Sequence, residues 1–263
     1  MIKNRNIDNG KVFDWGRTSN DYAKYRDIYP EEFYQKIVDM GLCVKGQDVL
    51  DIGTGTGVLP RNLYQYGAAF TGIDISENQI AQAAKLAVQG NMKIDFQCVP
   101  AEKSNFPDQA FDVVTACQCF TYFDHAVLAQ HIYKMLRPGG RFAVLYMAWL
   151  PFEDAIAGRS EELVLKFNPC WTGCKETRHP IHIPEVYSEY FTIEQEEVFD
   201  VNVPFTRESW NGRMKACRGI GASLSEQEVQ KFDMEHRKLL EETAPDCFDI
   251  LHYAAITVMK KDQ

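Results

Sequence analysis

Val49-Leu-Asp51-Ile-Gly53-Thr-Gly55-Thr-Gly57 is the stretch on which the fold reading turns. Residues 47–53 form a strand-like apolar run, and a helical pattern follows over about 57–66. Three glycines alternate between the two. At a strand-to-helix turn the backbone N–H groups are free, and a ligand can approach closely only where side chains are missing. A dinucleotide-binding turn needs G-x-G-x-x-G. Here the third glycine comes one residue early, and Val58 stands where that fingerprint requires glycine. Asp51, two residues before the first glycine, is not part of that fingerprint either. The plain alternative is a tight turn with no ligand.

Outward from this turn, strand-like and helix-like stretches alternate. Strands are expected at 69–75, 94–99, 111–117 and 141–149, and helices at 77–88 and 127–136. Arg137-Pro-Gly-Gly140 holds the breakers that end the second of these helices. Strand–helix alternation implies parallel strands joined by right-handed crossovers. Nearly continuous apolar strands imply helices on both sheet faces. Later strands are expected at 198–205 and 248–259, with helices at 208–218 and 226–242. The expected fold is therefore α/β: a doubly wound, Rossmann-like, mostly parallel seven-stranded sheet. The pattern reads as a single domain over 1–263. It comprises an N-terminal helical lid (1–45), a cofactor half (46–150), an insertion after strand five (151–190) and a completing segment (191–263). Ligands of such sheets sit beyond the carboxyl ends of the strands.

The D-x-G-x-G-x-G of Asp51–Gly57 resembles motif I of the class I S-adenosylmethionine-dependent methyltransferases. Asp74 at the end of strand two, Ala101-Glu102 after strand three and Arg137–Gly140 before strand five agree in order and spacing. The segment 117–125 is similar to a variant in the small-molecule branch, the methyltransferase type 11 and trans-aconitate-methyltransferase-like proteins. The resemblance implies S-adenosyl-L-methionine as cofactor and S-adenosyl-L-homocysteine as product. It implies that Gly53, Thr54 and Gly55 approach the methionine end, and that Asp51 holds its amino group directly or through water. Asp74 would accept both ribose hydroxyls through charge-assisted hydrogen bonds, with Ile75 beside it. Ala101 and Glu102 would form the adenine-side turn. Many relatives have Asp before that pair, where this chain has Pro100. Gln118 and Phe120 would flank the cofactor. Tyr22 and Arg26, in an N-terminal segment rich in aromatics and arginine, would belong to a lid. Asp74 has a second reading as a helix N-cap, and Glu102 a second reading as a solvent-facing residue.

Other positions carry weaker signals. His125 can act as a base near neutral pH, whereas Asp124 before it reads as an N-cap. Cys117 and Cys119 read as small core residues. Acceptor contacts are expected from Tyr122, Tyr146, Trp149, Trp171, Arg213 and Arg218. The arginines suit an anionic acceptor or, alternatively, a solvated helix surface. Cys170, Cys174, His179 and His182 have metal-ligand residue types at short spacing. Pro180 stiffens that loop, and no metal is expected.

Composition limits the partners. The chain has 263 residues with 28 Lys and Arg against 37 Asp and Glu, a net charge of −9. Such a balance opposes nucleic acid and anionic membrane as partners. The eight cysteines are scattered, and the opening residues are polar, so the expectation is a reduced, cytoplasmic protein. The expected reaction is in-line transfer of a methyl group to a small-molecule acceptor, by a monomer or homodimer. Two other readings remain: a cofactor-binding protein without transferase activity, such as an inactive partner subunit, and a nicotinamide-dependent oxidoreductase.

Overall fold

Burial on both faces explains the first strand. In β1 (Asp48–Ile52) the side chains of Val49, Leu50, Asp51 and Ile52 are all buried, as a strand covered on both sides requires. The computed structural model describes residues 7–18, 24–25 and 27–262; Tyr22 and Arg26 lie outside them. β1 pairs in parallel with β2 (Ala69–Asp74) and with β4 (Phe111–Cys117). β2 pairs in parallel with β3 (Asp95–Cys98), and β4 with β5 (Leu136–Trp149). With β6 (Phe191–Thr206) and β7 (Cys247–Lys261) the sheet has seven strands in the order β3-β2-β1-β4-β5-β7-β6. The chain runs outward from β1 to β3 on one side and restarts at β4 on the other. The switch point, where ligands of this architecture bind, is thus between β1 and β4.

Helices among the described residues include α1 (Glu31–Asp39), α2 (Val58–Leu63), α3 (Glu77–Gln89), α4 (His125–Met135), α5 (Ala155–Phe167), α6 (Arg207–Lys215) and α7 (Glu226–Thr243). Local chemistry sets their ends. Ser76 caps α3, Asp124 caps α4 and Asp154 caps α5, each accepting N–H groups of the first turn. Thr206 and Ser225 open α6 and α7 with reciprocal capping boxes. α2 is shorter than its sequence pattern, because Tyr64–Tyr66 tightens into a 3-10 turn that ends at Gly67.

β5 starts at Leu136, earlier than the expected Arg141. Leu136 pairs with Phe111 and Arg141 with Val113, so the Arg137–Gly140 segment is a bulge within the strand rather than a turn before it. Arg137 holds this bulge. Its guanidinium reaches Asp48 Oδ2 at 2.7 Å and also pairs with Asp112.

The chain divides into two compact units. One holds the glycine loop and comprises Glu31–Met147, His179–Phe199 and Ala254–Gln263; the other comprises Met1–Pro30, Ala148–Arg178 and Asp200–Tyr253. The glycine-loop unit is built on Leu50, Ile52, Ile73, Val114, Ile132 and Phe142. The second unit is built on an aromatic group in which Trp210 meets Trp149 at 5.7 Å and Phe205 at 4.8 Å. Among the described residues no helix is long and apolar enough to cross a membrane.

Candidate active site

The glycine loop has the backbone its sequence requires. Gly53, Gly55 and Gly57 all have positive φ, at 64°, 57° and 72°. Two of them are also needed for space. A Cβ on Gly53 would stand 2.7 Å from Cys119 Sγ, and one on Gly57 would stand 2.7 Å from the Phe96 ring. Cys119 packs against the core, as its residue type suggests, and its Sγ lies against the loop, 3.1 Å from the Ile52 carbonyl oxygen. Val58 is buried as the first residue of α2, so a side chain fills the position that a dinucleotide turn keeps open.

Asp51 is buried at the carboxyl end of β1. Thr115 Oγ1 donates to its Oδ1 at 2.7 Å. Burial pushes the carboxyl up to about 6; the hydroxyls of Thr115 and Thr54 act the other way, and Asp74 adds to the rise. The signal for Thr115 was available as a lone hydroxyl in the apolar run Val113-Val-Thr-Ala116, because a buried hydroxyl needs a partner. Sequence reasoning missed it.

Asp74 ends the neighbouring strand. Its Oδ2 accepts the Gly55 N–H at 3.0 Å and its Oδ1 accepts the Ser76 N–H at 2.9 Å. Ser76, not Asp74, is the cap of α3, so the N-cap reading of Asp74 is corrected. Burial raises the Asp74 carboxyl, and the N–H groups of Ser76, Gly55 and Ile75 oppose that rise. The Gly55 and Ser76 N–H groups, one on each oxygen, fix the carboxylate plane. Ile75 beside it is an exposed large apolar side chain at 51%.

The next two strand ends complete this edge. Ala101 is buried in a 3-10 turn after β3. Glu102 accepts the Asp124 N–H at 3.0 Å, which tethers that turn to the start of α4. Gln118 has φ 64°, a conformation that costs a non-glycine residue about 1–2 kcal/mol. Its N–H donates to Leu145 O at 2.9 Å, which carries the β4–β5 ladder one residue past Cys117. Its side-chain amide donates to Met147 O.

Phe120 is buried, 4.6 Å from the His125 ring and 5.4 Å from the Tyr187 ring. His125 Nδ1 lies 3.1 Å from the Tyr187 hydroxyl. Burial lowers the His125 pKa, the nearby Asp124 and Glu102 raise it, and His182 lowers it further, so the ring is neutral at pH 7. Asp124 is the N-cap of α4, as its sequence context suggested.

The residues expected at the acceptor are distributed over both units. Tyr122 and Tyr146 are half-buried in the glycine-loop unit. Trp149 and Trp171 are core residues of the second unit, and Trp149 Nε1 donates to Glu161 Oε2 at 2.9 Å. Arg213 is buried with its guanidinium 5.0 Å from the Trp149 ring centroid. Arg218 bonds the buried Asp8 at 2.9 Å. The solvated-surface reading of these two arginines is therefore corrected, and Arg218 is engaged by a carboxylate of its own unit. Cys174 Sγ bonds Trp171 O, and His179 Nδ1 lies 2.8 Å from Pro180 O. Among the described residues no group of three or more His, Cys, Asp or Glu side chains could hold a metal ion.

Comparison with known proteins agrees with this geometry. Residues 50–144 match the family model described as a methyltransferase domain. The chain is 34% identical over 132 residues to a ubiquinone biosynthesis O-methyltransferase of Coxiella burnetii, covering 49% of this chain and 54% of that protein. It thus spans about half the length of this curated relative. Among solved structures, it is similar to phospholethanolamine N-methyltransferase 2 of Haemonchus contortus in complex with phosphomonomethylethanolamine and S-adenosylhomocysteine. That likeness has a TM-score of 0.56 at 19% identity and covers 94% of this chain and 58% of the other. It is also similar to the cyclase SpnF, with a TM-score of 0.52 at 20% identity over 88% of this chain and 81% of the other. Both likenesses concern the fold.

Proposed function

We propose that this chain, whose residues 50–144 match a methyltransferase domain, is a class I S-adenosylmethionine-dependent methyltransferase that moves a methyl group from S-adenosylmethionine to a small-molecule acceptor. The observation that carries the reading is the pair of strand-end carboxylates, Asp51 and Asp74, on either side of a loop that has no room for side chains at Gly53 and Gly57. The donor set fits the cofactor. Asp74 is fixed by the N–H groups of Gly55 and Ser76 and would accept from the ribose hydroxyls. Asp51 supplies negative charge for an ammonium group, and Gly53, Thr54 and Gly55 line the approach of the methionine end. Ala101 and Glu102 form the adenine-side turn.

When bound, S-adenosylmethionine supplies a methyl group already activated on sulfur. The protein then has to orient and to exclude water, and positioning alone is worth about 7–11 kcal/mol of the barrier. A hydroxyl or amine acceptor also needs a proton taken up. His125 is the candidate base, since its neutral ring is held by the Tyr187 hydroxyl at 3.1 Å. A carboxylate acceptor needs no base. The same reading has the protein act in the cytoplasm, as a monomer or homodimer, on neither nucleic acid nor membrane. The net charge of −9 supports the exclusion of polyanions.

The test is label transfer. The protein is incubated with methyl-deuterated S-adenosylmethionine and a small-metabolite extract, and products are resolved by mass spectrometry. A labelled product that depends on the protein establishes the activity and identifies the acceptor. Fold alone does not fix activity, so a second reading is cofactor binding without methyl transfer. That reading requires S-adenosylhomocysteine binding and no labelled product.

A further inference from the structure

Asp51 and Thr115 stand opposite each other in the parallel ladder between β1 and β4. Thr115 is fully buried and Asp51 nearly so. The Thr115 hydroxyl has one proton, and at 2.7 Å from Asp51 Oδ1 it is committed to that oxygen. A valine of the same shape would suit this apolar strand, so the hydroxyl's presence needs a reason beyond packing. Donation to a carboxylate favours its charged form.

We propose that Thr115 is a positioning residue for the cofactor: its hydroxyl keeps Asp51 ionised and oriented toward the ammonium end of the methionine moiety. The inference rests on the S-adenosylmethionine reading above. Besides the Thr54 hydroxyl, titratable groups act on Asp51 from the elements packed around it. Asp74 faces it from β2, Cys119 from the segment after β4, and Cys43 from the segment before β1. Burial holds both thiols well above their usual range, so they carry no charge at neutral pH. Asp74 is a like charge and opposes ionisation of Asp51. None of these groups is a cation. A cationic ligand group would supply the missing counter-charge, and Thr115 keeps the carboxylate ready for it.

The experiment is calorimetric titration of S-adenosylhomocysteine into the full chain between about pH 5.5 and 8.5, a range that brackets the Asp51 titration. The unsubstituted protein is compared with Thr115→Val, Thr115→Ser and Asp51→Asn. Affinity of the unsubstituted protein should fall on acidification through about pH 6, where Asp51 takes up its proton. In Thr115→Val the midpoint of that fall should rise by about one pH unit, the scale of one hydrogen bond to a charged group. Thr115→Ser retains the donor and should follow the unsubstituted protein. Asp51→Asn should bind weakly and lose this acidic limb. If Thr115→Val does not fold, Thr115→Cys, with a weaker donor of similar size, is read in its place. A Thr115→Val midpoint equal to that of the unsubstituted protein overturns the inference, whatever its affinity. Absence of binding by the unsubstituted protein at every pH overturns the cofactor reading, and the inference with it.

Discussion

Asp74 Oδ2 accepts the Gly55 N–H at 3.0 Å, so the end of β2 holds the glycine loop that leaves β1. A single carboxylate thereby shapes the loop and offers its remaining lone pairs to a ligand. Asp74→Asn keeps the size and removes the charge. Hydrogen bonds to charged groups contribute about 1.5–3 kcal/mol each. S-adenosylhomocysteine affinity should fall by about 10–100-fold, as measured by calorimetry. An unchanged dissociation constant would remove Asp74 from the ligand site.

Asp51 should cost the ligand-free protein stability. Its carboxyl lies at about 6 in the folded chain against an ordinary value of 3.8. A raised carboxyl contributes stability that is fully present below the unfolded value and lost as pH rises through the folded one. At about pH 7.5 the opposition to folding is up to about 3 kcal/mol, at about 1.4 kcal/mol for each pH unit. Asp51→Asn keeps an acceptor for Thr115 and removes the charge. Scanning calorimetry of the ligand-free variant at about pH 7.5 should show a higher Tm, with a smaller gain at about pH 4.5. Lower ligand affinity should accompany the gain, a familiar opposition between stability and function.

Arg218 and Asp8 form an ion pair in which Asp8 has no exposed surface. Arg218→Ala leaves the carboxylate buried without its cation, a loss of about 3–5 kcal/mol. Thr172 remains as a donor to Asp8 and moderates the effect. Urea unfolding should show a lower midpoint for Arg218→Ala, and adding Asp8→Asn should recover part of it. Equal stability of the single variant and the unsubstituted protein would contradict the pairing.

His236 links three helices in the second unit. Its ring contacts Asn211 Oδ1 of α6 at 2.8 Å and Ser160 Oγ of α5 at 3.0 Å. Burial lowers its pKa to about 4; Asp233 raises it and Arg237 lowers it. The neutral ring contributes stability that is full above the unfolded value near 6.5 and lost as pH falls toward the folded value. Between those limits the loss is about 1.4 kcal/mol per pH unit. Buried His252, lowered to about 3, adds a change of the same sign. Chemical unfolding at about pH 7 and about pH 5 should show this loss, and His236→Gln should reduce the difference between the two.

Much of the candidate site's backbone was legible without coordinates. The positions of Asp51, Gly53, Gly55 and Asp74 follow from short local patterns, a strand end followed by a glycine turn or a helix start. Such patterns carry their geometry with them, because φ preference and strand periodicity are local properties. The bulge at Arg137–Gly140 was read as a turn, since Pro and Gly mark a break without saying whether pairing resumes across it. The packing of the Phe120 ring against Phe142 and Tyr187 depends on residues distant in the chain.

The amino-acid sequence by itself determined the alternating α/β order, the glycine loop and the acidic residues that end β1 and β2. Only the tertiary structure decided the partners: Thr115 for Asp51, Tyr187 for His125, Asp8 for Arg218 and Cys119 for Gly53. The first three pairs are 64, 62 and 210 residues apart in the chain. A hydrogen bond or a steric contact depends on distance in space, and chain neighbours cannot report which distant side chain the fold brings within about 3 Å.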